Sequence, residues 1–160
     1  MTEILRSILA PMRLEYRVTA SVHRTRFLRG LMQGKILGER CTECRKVYVP
    51  WRGSCPTCGV GESERVELVD RGTVTTFSVI NLPFDNQAFK TPYAAAAILL
   101  DGADLPLLHL LNELPIEDVR MGLRVKAVWS PTPRPTLETI RWFTASGEPD
   151  ASYASYEQHL

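Results

Sequence analysis

The residues of this chain best equipped for chemistry are its four cysteines. Cys41, Cys44, Cys55 and Cys58 are read as Cys-Thr-Glu-Cys, a spacer of ten residues, and Cys-Pro-Thr-Cys-Gly, and the chain has no other cysteine. A Cys-x-x-Cys pair makes a tight knuckle that offers two thiolates to one ion, and two knuckles joined by a short hairpin suit tetrahedral coordination. Gly59 follows the second pair, where a knuckle backbone often needs positive φ. Val47-Tyr48-Val49 alternates as a strand would, and Pro50, Arg52, Gly53 and Ser54 supply a turn. Two disulfides would require an oxidising compartment, for which the sequence offers no sign. A redox Cys-x-x-Cys would occur once, ahead of a helix in a thioredoxin-like unit. Four thiolates accept iron as well as zinc. Spacing and a reducing compartment favour structural zinc, with iron as the alternative. Four protein ligands leave no position for water, so this metal would shape the fold rather than catalyse.

The other candidates are weaker. His109 sits in the apolar run Leu107-Leu108-His109-Leu110-Leu111, the place of a hydrogen-bonded structural histidine. The other histidines are His23 and His159. There is no GxxxxGK[ST] or GxGxxG phosphate loop, and Ser54 and Ser78 lack a nucleophile elbow. Asp101 and Asp104 flank a turn, and Glu113, Glu117 and Asp118 cluster near a short helix as caps or solvated charge. These residues argue against an autonomous enzyme, and no catalytic residue is assigned. Arg24, Arg26 and Arg29 form either a solvated helix face or an anion site. Phe84, Phe89 and Tyr93, with Pro83 and Pro92, lie in or beside a long loop and are candidates for contact with a partner or ligand. Trp51 reads as a surface anchor, and Trp129 and Trp142 as core.

Several elements must position these groups. Leu5, Ile8 and Leu9 have helical spacing, and Leu14, Tyr16 and Val18 suggest an extended arm. Ser21 caps a predicted helix whose stripe is Phe27, Leu28, Leu31 and Met32, with Gly34 as its stop. From Val66 onward the pattern becomes strands: 66–69, then 73–80 with a break in alternation that suggests a bulge, 93–100, 105–111, 123–129 and 137–143. A short helical connection spans 115–119, and residues after Ser146 read as a polar tail. The fold class is mainly β: an N-terminal helical segment, a zinc ribbon and a barrel of OB type with five curved strands. The expected division is 1–35 arm and helix, 36–65 ribbon, 66–145 barrel and 146–160 tail.

Composition narrows the function classes. The chain has 160 residues, 44% hydrophobic and 23% charged, and a net charge of +1. That is globular composition, not disorder. A duplex-binding domain carries a basic excess that this chain lacks. The longest apolar run, around Ala94 to Leu100, is far short of the about 20 residues of a spanning helix. The start of the chain, with Glu3 and Glu15, makes a poor signal peptide, so a cytoplasmic location is expected.

The ordered motifs resemble a known family. They are Phe27-Leu28-x-Gly30-Leu31-x-x-Gly34-Lys35-Ile36-Leu37, the first knuckle, Val47-Tyr48-Val49-Pro50-Trp51-Arg52 and the second knuckle. Gly72-Thr73-Val74-Thr75-Thr76-Phe77, Thr91-Pro92-Tyr93, Ala97-Ile98-Leu99-Leu100-Asp101-Gly102 and Val119-Arg120-Met121-Gly122-Leu123-Arg124-Val125 follow. Over residues 22 to 143 this is similar to the acyl-CoA-associated zinc-ribbon/OB-fold proteins called domain of unknown function 35. The resemblance implies a rubredoxin-like ribbon, an OB-fold barrel and a non-catalytic accessory role. Its partners would be thiolase-fold enzymes, including lipid-transfer-protein-type thiolases and aldolases, and MaoC-like hydratases of steroid side-chain breakdown, with acyl-CoA at the interface. Two other functions compete. Ribbons and OB barrels also bind nucleic acid, but that needs a basic groove with stacking aromatics. A stand-alone acyl-CoA carrier would use Arg24, Arg26 and Arg29 for the phosphates.

Overall fold

Ser21 caps the first helix among the described residues. Its side chain accepts a hydrogen bond from the Arg24 N–H at 3.2 Å, which satisfies one of the free donors of helix α1, Val22–Met32. The helix ends where Gly34 takes φ +71°. It buries Phe27, Gly30 and Leu31. The computed structural model describes residues 14–15, 17–83, 85, 87 and 89–160. The short helix expected around Leu5, Ile8 and Leu9 lies outside these residues, as do Tyr16 and Phe84.

Strands β1 (Ile36–Cys41), β2 (Val47–Tyr48) and β3 (Ser63–Leu68) form an antiparallel sheet in the order β2-β1-β3. The register runs from Ile36 opposite Leu68 to Cys41 opposite Ser63. The sequence pattern places Val66 to Val69 at the head of the barrel. In the structure Val66 to Leu68 instead pair with β1, because Leu68 meets the same apolar cluster as Ile36, Val47 and Val49.

Strands β4 (Arg71–Ile80), β5 (Tyr93–Leu100), β6 (Leu107–Leu111), β7 (Arg124–Trp129) and β8 (Ile140–Ala145) close a barrel in the order β4-β5-β6-β8-β7. The β6–β8 pairing is parallel and the others are antiparallel. This is the strand order of an OB fold. The expected bulge in β4 falls between Val74 and Thr76. Gly72 is required where β4 crosses β5, since a Cβ there would collide with the Leu99 carbonyl. One buried cluster joins α1, the adjacent half of the ribbon sheet and the barrel interior, with Val74, Ile98, Val125, Ile140 and Phe143 fully enclosed.

Residues 146–160 are not a free tail. Tyr156 is buried in the main cluster. Glu148 pairs with Arg71 at 2.7 Å and Arg124 at 3.0 Å, and Asp150 takes two hydrogen bonds from Arg120. A segment that is polar by composition docks here through its charges and one aromatic ring. Among the described residues no helix is long and apolar enough to cross a membrane.

Candidate metal centre and docking surfaces

The two knuckles adopt matching backbones. In the first, the Arg45 N–H donates to the Cys41 carbonyl at 3.1 Å and the Cys41 N–H to the Lys46 carbonyl at 2.9 Å. In the second, the Gly59 N–H donates to the Cys55 carbonyl at 2.9 Å and the Cys55 N–H to the Val60 carbonyl at 2.8 Å. Both need a left-handed residue after the second cysteine. Gly59 provides it at φ +76°, and Arg45 does so at φ +62° against its Cβ.

The four sulfur atoms lie within 4.8 Å of one another. Cys41 and Cys58 approach to 3.4 Å across the knuckles, and so do Cys44 and Cys55. With metal–sulfur bonds of about 2.3 Å, the corners of a tetrahedral site stand about 3.8 Å apart. The sulfur set therefore fits a single ion, a structural metal centre of four thiolates. Cys41 and Cys55 are buried, Cys44 is half-buried and Cys58 is exposed. Burial opposes ionisation of Cys55, but the N–H groups of Cys58 and Thr57 and the neighbouring thiols Cys44 and Cys58 bring its pKa down to about 6. Cys58 is pushed up to about 12; the Val60 N–H favours its thiolate, and desolvation and the three other sulfurs outweigh that. Crowding four thiols makes full deprotonation costly unless a cation shares the charge.

Trp51 belongs to this centre and is not a surface anchor. It is 3% exposed and packs with Cys41, Tyr48 and Cys55 in a four-residue cluster under the knuckles. The segment is too short to build an apolar core elsewhere, so its one large aromatic residue is drawn in. Tyr48 lies tilted against it, with ring centres 5.9 Å apart, and its hydroxyl meets Thr57 Oγ1 at 2.7 Å.

The three helix arginines part company. Arg26 hydrogen-bonds the buried Glu39 at 3.1 Å. Glu39 also meets His23 Nδ1 at 2.9 Å and accepts from Ser63. Burial works against its carboxylate, but His23, Ser63 and Arg26 hold the pKa below the usual carboxylate range. This buried acid was missed in the sequence, where Glu39 stands in an ordinary charged strand pair with Arg40. Arg24 lines a recess with Trp51 and Arg52, whereas Arg29 lines another beside Gly30 and Leu37.

Phe89 and Tyr93 come together with Trp142. Phe89 stands edge-on to Tyr93 and Trp142, with ring centres 5.9 and 5.6 Å away. Arg141 lies over the Trp142 ring at 4.1 Å. The Phe89 and Trp142 rings edge a trough of about 560 Å³ on the barrel exterior, floored by Ala95 and walled by Leu108, Leu110, Leu137 and Ile140, with Glu138 and Arg141 also on its lining. Leu108 is 72% exposed. His109 joins the wall; burial holds its pKa below the ordinary imidazole value despite hydrogen bonds to the backbone of Leu137, Leu110 and Ile140. Nothing in the sequence singled out Leu108 or joined these scattered residues.

Comparison with known proteins now settles the family. The model of the ChsH2 rubredoxin-like zinc ribbon domain matches residues 29–64, and that of the ChsH2 C-terminal OB-fold domain matches residues 65–130. The chain belongs to the DUF35 family. It is similar to a DUF35 domain-containing scaffold protein of Methanocaldococcus jannaschii, 34% identical over 59% of this chain and 67% of that protein. A scaffold protein of the same description from Methanothermobacter thermautotrophicus is 33% identical, with 41% of this chain and half of the relative aligned. A probable enoyl-CoA hydratase alpha subunit of Thermomonospora curvata is 27% identical over 68% of this chain but only 34% of its own length. Among solved structures, a chain of the Ltp2-ChsH2(DUF35) aldolase superposes with a TM-score of 0.62 at 21% identity, covering 81% of this chain and 99% of that one. A DUF35 protein of Sulfolobus solfataricus gives 0.57 at 22% identity, over 76% and 83%. The two structural likenesses speak to the fold.

Proposed function

We propose that this chain is a non-catalytic accessory subunit that docks onto a thiolase-fold enzyme, a thiolase or aldolase, acting on acyl-CoA thioesters. The observation that carries this reading is the apolar trough on the barrel exterior. It leaves Leu108 in water beside a rigid aromatic cluster, and an exposed apolar concavity of this kind favours burial by another molecule. The scaffold description of the relatives and the aldolase complex that holds the structural neighbour support the same role. A four-thiolate centre has no vacancy for substrate, so the metal, which we take to be zinc bound by Cys41, Cys44, Cys55 and Cys58, serves to hold the ribbon. Lipid or steroid side-chain thioesters are the substrates in view, and the hydratase subunit among the relatives makes a hydratase a second partner class. Arg24, Arg29, Phe89 and Tyr93 remain the candidate contacts, with Arg26 already committed to Glu39.

Co-expression with a thiolase-fold enzyme tests the role. A stable complex should elute together, and partner activity should fall when this chain is omitted. Leu108→Asp should weaken co-elution at least tenfold while the chain stays folded. Full partner activity without this chain, or thioester turnover by the chain alone, would overturn the reading.

A further inference from the structure

Strands β6 and β8 meet in the ladder at a single pair, Leu111 opposite Phe143. The Asn112 N–H donates to the Phe143 carbonyl at 3.0 Å just beyond it. On the other side of that pair the two strands carry walls of the trough, Leu108 and Leu110 on β6 and Ile140 on β8. No other ladder pair joins β6 and β8 among the described residues. The His109 side chain stands in this stretch. Its ring lines the trough, lies edge-on to Phe143 with centres 5.5 Å apart, and hydrogen-bonds the backbone of Leu137 and Ile140. The Leu110 N–H donates to its Nδ1 at 2.9 Å. A ring nitrogen that accepts carries no proton, so this contact requires the neutral imidazole with its proton on Nε2.

The other charged groups on the trough lining are Glu138, in the turn before β8, and Arg141 on β8, which lies over the Trp142 ring. Strand β6 has no further ionisable residue, and β5 sets Ala96 opposite His109. No described carboxylate is ion-paired with the imidazole. A proton at Nδ1 would therefore cost the Leu110 contact with no ion pair to offset it.

We propose that His109 is the latch of the docking trough: the neutral ring ties β6 to the segment entering β8, and a proton at Nδ1 breaks the Leu110 contact, parts the walls and releases the partner. The inference rests on the accessory-subunit reading and adds an acid-sensitive control to it. A partner seated in the trough removes more water from the ring, so the docked state disfavours the charged form more than the free chain does. Docking is then full above the His109 midpoint of the free chain and weakens below it. Burial already holds that midpoint under 6.5, so the window lies on the acid side of this value.

The first measurement is NMR of the full metal-loaded chain, with its three histidines assigned by substitution. At a pH of about 7.5, where an ordinary histidine is neutral, His109 should be the tautomer protonated at Nε2. On acidification the Leu110 amide and the Leu108 and Leu137 methyl groups should move with the His109 midpoint, while the Val74 and Val125 amides stay in place. The second is the dissociation constant for the co-expressed thiolase-fold enzyme, about one pH unit above and one below that midpoint, where a rise of about tenfold is expected. His109→Gln keeps a donor and an acceptor without titrating, so it should bind normally at the higher pH and lose the tenfold rise. His159→Gln should retain it. A tautomer protonated at Nδ1, or a Leu110 amide indifferent to the titration, overturns the latch. So does loss of the Val74 and Val125 signals at the same midpoint, which would make the release plain unfolding. A complex equally tight at both pH values, or a rise that survives His109→Gln, overturns it and leaves the accessory role standing. No complex at either pH overturns that role and this inference with it.

Discussion

The barrel encloses Val74, Ile98, Leu100, Val125, Ile140 and Phe143, each no more than 1% exposed. The knuckle end of the ribbon has only Cys41, Tyr48, Trp51 and Cys55 in its buried cluster. The two regions share a chain, and the far half of the ribbon sheet enters the main cluster through Ile36, Val47, Val49 and Leu68. The difference is therefore one of means. Apolar burial holds the barrel, whereas the knuckles depend on four sulfurs being gathered by one ion. Regions of a protein open with separate free energies, and here the chemistry that sets them differs.

The strongest way to break this contrast is to take the metal away. Binding energies at such sites are about 10–16 kcal/mol, so chelation should strip hydrogen-exchange protection from residues 41–60 and leave the barrel strands protected. Cys55→Ser should do the same. Simultaneous loss of protection in both regions would remove the distinction. The converse experiment is Phe143→Ala. Emptying that fully buried site should cost about 3–5 kcal/mol, read as a lowered thermal midpoint, with metal content per folded chain unchanged.

Glu39 ties α1 to the ribbon sheet. Glu39→Gln removes the charge that His23 and Arg26 face. It should cost about 1–3 kcal/mol, with denaturant melts as the measure, and loosen α1 more than the barrel. The acid limbs should differ as well. The pKa of His109 is depressed in the fold, so the unfolded chain takes up its proton first as pH falls below the ordinary value of 6.5. Stability should then decline from that point downward. Glu39, also depressed, contributes stability above the ordinary value of 4.5 that is lost only at lower pH. His109→Gln should flatten thermal midpoints between these two values and leave the lower limb in place. The smallest effect is expected at the knuckle turn. Arg45→Gly relieves a left-handed backbone and should raise stability by up to about 1 kcal/mol, provided its exposed pairing with Glu64 is worth little.

Much of this was legible in the residues. The Cys-x-x-Cys spacing carries the metal centre because four ligands of one type are a local pattern. The Ser21 cap, the bulge in β4 and the alternation of β7 are local too. What escaped was set by tertiary contact. Trp51 follows a proline in a turn and reads as exposed until the hairpin folds over the sulfurs. Residues 146–160 lack an apolar stripe, so nothing in them announces that Glu148 and Asp150 reach arginines on β4, β7 and the loop before β7. Val66 to Leu68 have strand character for either sheet, and only the partner strand decides. The trough around Leu108 is the outer face of three strands, and its residues are scattered from Phe89 to Trp142 in sequence.

One contact joins the two regions directly. The Asp104 N–H donates to the Val47 carbonyl, and the Val47 N–H donates to Asp104 Oδ2, both at 2.8 Å. His159 Nδ1 lies 3.1 Å from the carbonyl oxygen of the same aspartate. A hairpin tip of the barrel, an edge strand of the ribbon and the last turn of the chain are thus riveted at a single residue. The ribbon is thus tied to the barrel at this residue as well as through the shared apolar cluster, so a displacement of one region is felt in the other.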